Sequence, residues 1–186
     1  MIGCGADILD IIWNVFKMIT PKKALPPPRQ KDLLEMEGQL RSRILEPLVP
    51  GMVSGGTSWM HAITTLHCLA TSLWINRTAM GYRGTEATHQ ALVVQALDIL
   101  TQLGICDLPW PLFIIACEMR TDVQRGVILS IIHRTKERSK TGHMSLVERL
   151  IEMGWNYDDL DPEGLLSYDD KLCSIIQACQ WMPPFI

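Results

Sequence analysis

The stretch Ser58 to Met80 reads SWMHAITTLHCLATSLWINRTAM and decides the fold class. Most of it belongs to a run of 30 residues, Pro47 to Asn76, that contains no Asp, Glu, Lys or Arg. Its apolar side chains fall on most faces of a helix, which is typical of a helix buried on all sides. We therefore predict a central core helix over this stretch, which Gly81 can terminate.

A membrane span is the alternative interpretation of the uncharged run. A span would need about 20 mostly apolar residues. Polar residues interrupt the run at His61, Thr64, Thr65, His67, Thr71 and Ser72. We therefore expect a core helix and no membrane association.

Helical periodicity continues on both sides of this helix, and no segment alternates like a β-strand. Further helices are predicted over about residues 8–19, 32–45, 88–103, 110–119, 121–138, 145–155 and 171–181. Three consecutive prolines, Pro26 to Pro28, predict an extended connector over residues 21–30. Seven or eight helices, joined mostly by short loops, predict an all-α layered array that forms a single domain over residues 1–186.

The composition is that of an ordinary globular protein. The chain has 186 residues, 47% of them hydrophobic, and a net charge of −3 from 17 Lys and Arg against 20 Asp and Glu. A chain of this size can bury a substantial core, and its slight acidity gives no reason to expect a nucleic-acid-binding surface. The apolar N-terminus has no basic stretch and contains Asp7 and Asp10, so we expect an intracellular chain without a secretory signal.

The cysteines are even in number but widely spaced. Six of them occur, at positions 4, 68, 106, 117, 173 and 179, and no two form a Cys-x-x-Cys pair. That spacing excludes the paired ligands of a structural zinc site, and an intracellular chain of this size does not need disulfides. Buried free thiols are the favoured interpretation.

One candidate site lies within the central helix, where His61, His67 and Cys68 suggest a Cys–His nucleophile or a metal site. The helical geometry argues against both. His67 and Cys68 are adjacent, so their side chains diverge by about 100°, and His61 and Cys68 are about 10 Å apart along the axis. We interpret these residues as polar groups packed inside the core.

A second candidate site is the acidic loop Asp159 to Asp170, which resembles an EF-hand. It places oxygen ligands at loop positions 1, 3, 5, 9 and 12 and Gly164 at position 6. Pro162 within the ligand arc, Glu163 at position 5 and Asp170 in place of the final glutamate depart from that pattern. A solvated acidic loop is the favoured interpretation, and a calcium-binding helical protein is kept as the alternative function.

A third candidate is the basic run from His133 to Lys140 at the end of a predicted helix. Cations there complement the helix dipole, which is the structural interpretation. A nuclear-localisation or phosphate-contact role is the functional alternative.

The run LPWPLFIIACE, Leu108 to Glu118, followed by Arg125 and the aliphatic helix Val127 to Ile132, is similar to a known signature. It resembles the C-terminal regulatory domain of fungal-specific transcription factors, whose members usually also carry an N-terminal six-cysteine zinc cluster. The matching residues are Trp110, Pro111, Leu112, Phe113, Glu118 and Arg125. The resemblance implies a structural role for them, with Glu118 and Arg125 as an ion pair.

The resemblance also implies a function. The scattered cysteines cannot form the zinc cluster, so the chain looks like the regulatory half alone, either a short family member or a fragment. We expect a transcription-regulator-like module that acts in the nucleus. Its partner would be a protein of the transcription machinery or a DNA-binding family member, and binding of an effector is a further expectation. Specific DNA binding, a cofactor, a bound metal and catalysis are not expected, since the sequence shows no nucleophile–base constellation and no phosphate-binding glycine loop.

Overall fold

The computed structural model describes residues 9–11, 13–14, 27–44, 55–139, 142–161 and 166–178. The helices with defined bounds in this part of the chain are α1 (Pro27–Ile44), α2 (Gly55–Thr78), α3 (Ala87–Leu103), α4 (Pro109–Ala116), α5 (Asp122–Arg138), α6 (His143–Leu160) and α7 (Tyr168–Ala178). Residues 9–11 and 13–14 are helical as well, and the described residues contain no strand. The predicted all-α class is confirmed.

The expected extended connector over residues 21–30 is wrong for its last part. Helix α1 begins at Pro27, before the predicted start at residue 32. Proline suits the first turn of a helix because the amide hydrogen that it lacks would have no partner there, and its fixed φ already fits the helix. Residues 21–26 lie outside the described part of the chain.

The chain divides into two compact units, Met1–Ala96 and Leu97–Ile186. The single domain over residues 1–186 stays a prediction. In the first unit α1 packs against α2, the helix predicted to be central. Every residue from Leu66 to Asn76 is buried, as expected for a helix enclosed on all sides. Thr71 satisfies its hydroxyl inside the helix by donating to the His67 carbonyl oxygen at 2.8 Å.

The connection from α2 to α3 is a tight turn held by one carboxylate. Gly81 and Gly84 adopt positive φ values of 67° and 83°, which glycine tolerates. The Glu86 carboxylate accepts hydrogen bonds from the backbone amides of Arg83 at 2.8 Å and Gly84 at 2.9 Å. These hydrogen bonds, that of Arg83 above all, lower the pKa of Glu86. The turn therefore depends on an ionised glutamate.

In the second unit α6 packs against α4, α5 and α7. The apolar block of α4 supplies much of the core, because every residue from Pro111 to Met119 is buried. Lys171 of α7 is buried too, and its ammonium group donates to the Asp158 carboxylate of α6 at 2.6 Å. This pair joins the first turn of α7 to the last turn of α6.

Candidate functional site

The family-like motif begins on α4, which is apolar along its whole length. Pro109 occupies the first turn after an extended Leu108, as the sequence predicted for a proline-opened helix. Leu112, Phe113 and Ile114 are at most 2% exposed. The apolar block opened by two prolines also predicts that Trp110 is largely buried. Its side chain is half-buried, like those of Leu108 and Pro109, because the first turn of α4 lies at the margin of the core.

The chain leaves α4 through a short turn and enters α5 through a capping box. Thr121 is the N-cap residue, and its hydroxyl oxygen accepts the Gln124 amide hydrogen at 3.3 Å. The Gln124 side-chain oxygen in return accepts from the Thr121 amide at 3.2 Å. This reciprocal pair is a capping box, which the Thr-x-x-Gln spacing of the sequence also predicts. It fixes the position of Arg125 one residue later.

Arg125 connects three parts of the second unit. Its two terminal nitrogens donate to the two carboxylate oxygens of Asp159, each at 2.8 Å. Its Nε donates to the Met119 carbonyl oxygen at 3.3 Å. The guanidinium carbon lies 5.4 Å from the centre of the Trp155 ring. The first turn of α5 is thereby tied to the end of α4 and to the last turn of α6.

These contacts direct the Arg125 guanidinium at Asp159, and the ion pair between Glu118 and Arg125 that the resemblance implies stays a prediction. Glu118 is 2% exposed and belongs to the buried turn after α4. The hydrogen bond from Arg125 lowers the pKa of Asp159, and the same bond raises the pKa of Arg125. Both groups therefore stay charged over a wide pH range.

Trp155 binds the C-terminal end of α4. Its indole Nε1 donates to the Ala116 carbonyl oxygen at 2.8 Å. The last carbonyl groups of a helix have no partner within that helix. Here Trp155 binds one at the end of α4, and Arg125 binds the Met119 carbonyl in the turn that follows. We name Arg125, Trp155, Asp159 and Met119 the α4 clasp.

Arg125 belongs to the sequence motif, but the sequence does not indicate its partners in the clasp. Trp155 stood out only as the end of a helical pattern, and Asp159 was assigned to the EF-hand-like loop. The separation of 34 residues between Arg125 and Asp159 gives no sequence signal for the pair.

In the acidic loop, carboxylates of the residues that the structure describes bind other groups of the protein. Asp159, at loop position 1, binds Arg125. Asp161 accepts the Leu166 amide hydrogen at 2.8 Å. Ser167 accepts the Asp170 amide hydrogen at 3.1 Å and so begins α7.

Burial raises the pKa of Asp169, and the neighbouring charge of Asp170 raises it further. Glu163 and Gly164 lie outside the described residues, which contain no cluster of three or more side chains able to hold a metal. The described geometry gives the calcium alternative no support.

The histidines and cysteine of α2 lie in or beside the core. Cys68 has no exposed surface, so a substrate from solution has no access to its thiol. Burial lowers the pKa of His67 to about 4, which keeps its ring neutral. The thiols of Cys106 and Cys117 are buried as well, and burial raises the pKa of Cys106 to about 12. These observations support the structural interpretation of the three residues of α2.

One lysine of the basic run at the end of α5 is engaged within the protein. Lys136 donates to Glu148 of α6 at 2.7 Å. His133 lies 3.3 Å from Glu137 one turn along the same helix. Lys140 lies outside the described residues. The run therefore presents fewer available cations than its sequence suggests.

Comparison with known proteins identifies the family. The fungal specific transcription factor domain matches residues 10–182. The chain belongs to this family. It is also 31% identical over 134 residues, 72% of the chain, to the transcription factor iacI of Pestalotiopsis fici. That match covers 35% of the relative, so the chain spans about a third of its length. No solved structure is significantly similar to the chain.

Within this fungal transcription factor domain, three motif residues have defined positions in the second unit. Leu112 and Phe113 fill its core, and Arg125 forms the α4 clasp. Among the described residues, no helix combines the length and hydrophobicity that a membrane crossing requires.

Proposed function

We propose that the chain is the regulatory module of a fungal transcription regulator and that it acts in the nucleus by contacting other proteins. The observation that carries the proposal is the family match over residues 10–182. The partner is a protein of the transcription machinery or a DNA-binding member of the same family. The module makes no specific DNA contact of its own.

The surface of the described residues favours protein over nucleic acid as the partner. Lys136, a cation of the basic run, is held by Glu148. Large hydrophobic side chains are exposed in both units, among them Val94 at 53% and Leu160 at 84%. Protein interfaces use such apolar side chains, whereas DNA-binding surfaces depend on many free cations.

A reporter assay tests the proposal. The full chain is fused to a heterologous DNA-binding domain and expressed in a fungal host whose reporter gene carries the corresponding binding site. We expect reporter expression to rise or fall several-fold relative to the DNA-binding domain alone. A matched control fusion carries Phe113→Ala, which removes a side chain from the core of the second unit and should abolish the effect.

A fluorescent tag on the same fusion reports its location and abundance. If a stable, nuclear fusion leaves reporter expression unchanged, the proposed regulatory function is wrong.

A further inference from the structure

Three aliphatic side chains are the large hydrophobic groups exposed in the described part of the second unit. They are Val123 at 79%, Leu160 at 84% and Leu166 at 45%. Isolated exposed aliphatic residues are ordinary on protein surfaces, so their significance depends on whether they lie together.

The contacts of neighbouring residues place the backbone positions of all three at one end of the unit. Arg125, two residues after Val123, binds Asp159, which immediately precedes Leu160. The Leu166 amide donates to Asp161 at 2.8 Å, which ties it to the end of α6 as well. We name Val123, Leu160 and Leu166 the apolar end of the second unit.

Carboxylates surround the apolar end and outnumber its cations. Six aspartates belong to the first turn of α5, the end of α6 and the first turn of α7: Asp122, Asp158, Asp159, Asp161, Asp169 and Asp170. Arg125 binds Asp159, and Lys171 binds Asp158. With Arg120, which directly precedes the N-cap of α5, six negative and three positive charges give this end a net charge of −3, equal to that of the whole chain. The charge excess of the protein is therefore concentrated beside its exposed aliphatic side chains.

We propose that the apolar end docks a lysine- and arginine-rich amphipathic segment of a partner protein. Aliphatic side chains of the segment would pack on Val123 and Leu160, and its cations would face the surrounding aspartates. Nucleic acids and anionic lipid surfaces carry the wrong charge for this site. A second copy of the chain, joined through the same face, would bring two acidic rims together. The proposal rests on the proposed function, because it names the partner chemistry of that regulatory module.

The test begins with an unbiased selection on the intact chain. A displayed library of randomised peptides of about 16 residues, four to five helical turns, is selected for binding. We expect the enriched peptides to combine net positive charge with apolar residues spaced three or four apart. One enriched peptide is synthesised, and its affinity is measured by fluorescence anisotropy at low and physiological salt, where screening should weaken it.

Two variants locate the binding surface. The double variant Val123→Ser/Leu160→Ser should bind the peptide with about tenfold lower affinity, as expected for the loss of central apolar contacts. Val94→Ser, which changes an exposed aliphatic residue of the first unit, should leave the affinity unchanged. Circular dichroism of each variant establishes that the fold is retained.

Several outcomes would overturn the proposal. They are enrichment of neutral or acidic peptides, failure to enrich any peptide, and equal affinity of the double variant and the wild type. A dimer in light scattering that the double variant dissolves would assign the surface to a second copy instead.

The reporter assay separates this proposal from the proposed function. If the wild-type fusion alters expression and the double variant does so equally, the surface is wrong and the regulatory role stands. If the peptide binds as expected but the fusion leaves expression unchanged, the regulatory role is wrong and the surface stands.

Discussion

The guanidinium of Arg125 makes three kinds of contact that should contribute unequally to stability. Asp159 is 57% exposed, so the ion pair competes with water and contributes little. The contacts of Arg125 with the Trp155 ring and the Met119 carbonyl are lost only when the guanidinium itself is removed. We expect Arg125→Ala to lower the free energy of unfolding by about 1–2 kcal/mol, and Asp159→Asn to lower it less.

Urea unfolding followed by tryptophan fluorescence measures both variants of the clasp. Arg149→Ala, which removes an exposed arginine of α6, is the matched control and should be nearly neutral. A larger loss from Asp159→Asn than from Arg125→Ala would show that the ion pair, and not the packing on Trp155, stabilises the clasp.

His67 makes the stability of the first unit depend on pH. Its Nδ1 has no hydrogen-bond partner within the described residues, and burial lowers its pKa from 6.5 to about 4. The unfolded chain takes up a proton as the pH falls through 6.5, but the folded chain does so only near pH 4. Acidification between these values therefore favours unfolding, by up to about 3 kcal/mol.

His67→Gln should flatten the dependence of the urea midpoint on pH between 7 and 4.5. His133→Gln changes a surface histidine that is 72% exposed, and it should leave the dependence in place. If the urea midpoint changes with pH equally in the wild type and in His67→Gln, His67 is not the source of the pH dependence.

At the scale of the element, Phe113 should be the energetic centre of the motif. It is 2% exposed within the core around α4, whereas Trp110 is half-buried at the margin. We expect Phe113→Ala to cost about 3–5 kcal/mol, and Trp110→Ala clearly less, because part of its surface already contacts water. Thermal unfolding of both variants measures the difference. Equal losses would mean that Trp110 packs as deeply as Phe113.

The helices could be predicted because their signals are local. Core periodicity placed α2, and the Thr121–Gln124 spacing placed the start of α5, both close to their observed positions. Helix α6 runs to Leu160, past the predicted end at Trp155. Its last turn is tied to the rest of the unit by Asp158 and Asp159, whose cationic partners lie on other helices. Such tertiary contacts extend a helix beyond the point where local preference ends.

The site was less predictable than the helices. The motif residues marked the family, and the burial of Leu112 and Phe113 followed from their apolar character. The partners of Arg125 could not be predicted from the sequence, because its contact with Asp159 depends on how α5 packs against α6. Asp159 also fitted the pattern of a calcium-binding loop. The spacing of acidic residues does not show whether a carboxylate binds a metal ion or, as here, an arginine side chain.

For the whole molecule, the distribution of charge matters more than its sum. A net charge of −3 is small for 186 residues. Its negative excess lies beside the apolar end, while Lys136 and Arg125 are held by carboxylates. A negative excess disfavours the phosphate contacts that replace counterions of DNA, and that replacement supplies most of the affinity of non-specific binding.

We therefore expect the isolated chain to bind duplex DNA no more tightly than about 10⁻⁶ M at physiological salt. Fluorescence anisotropy with a pool of random duplexes measures this, and Lys136→Ala should leave the result unchanged, because Lys136 is already engaged by Glu148. Saturable binding tighter than about 10⁻⁷ M exceeds what non-specific phosphate contacts provide. Such a result would move the regulatory contact from a protein partner to DNA.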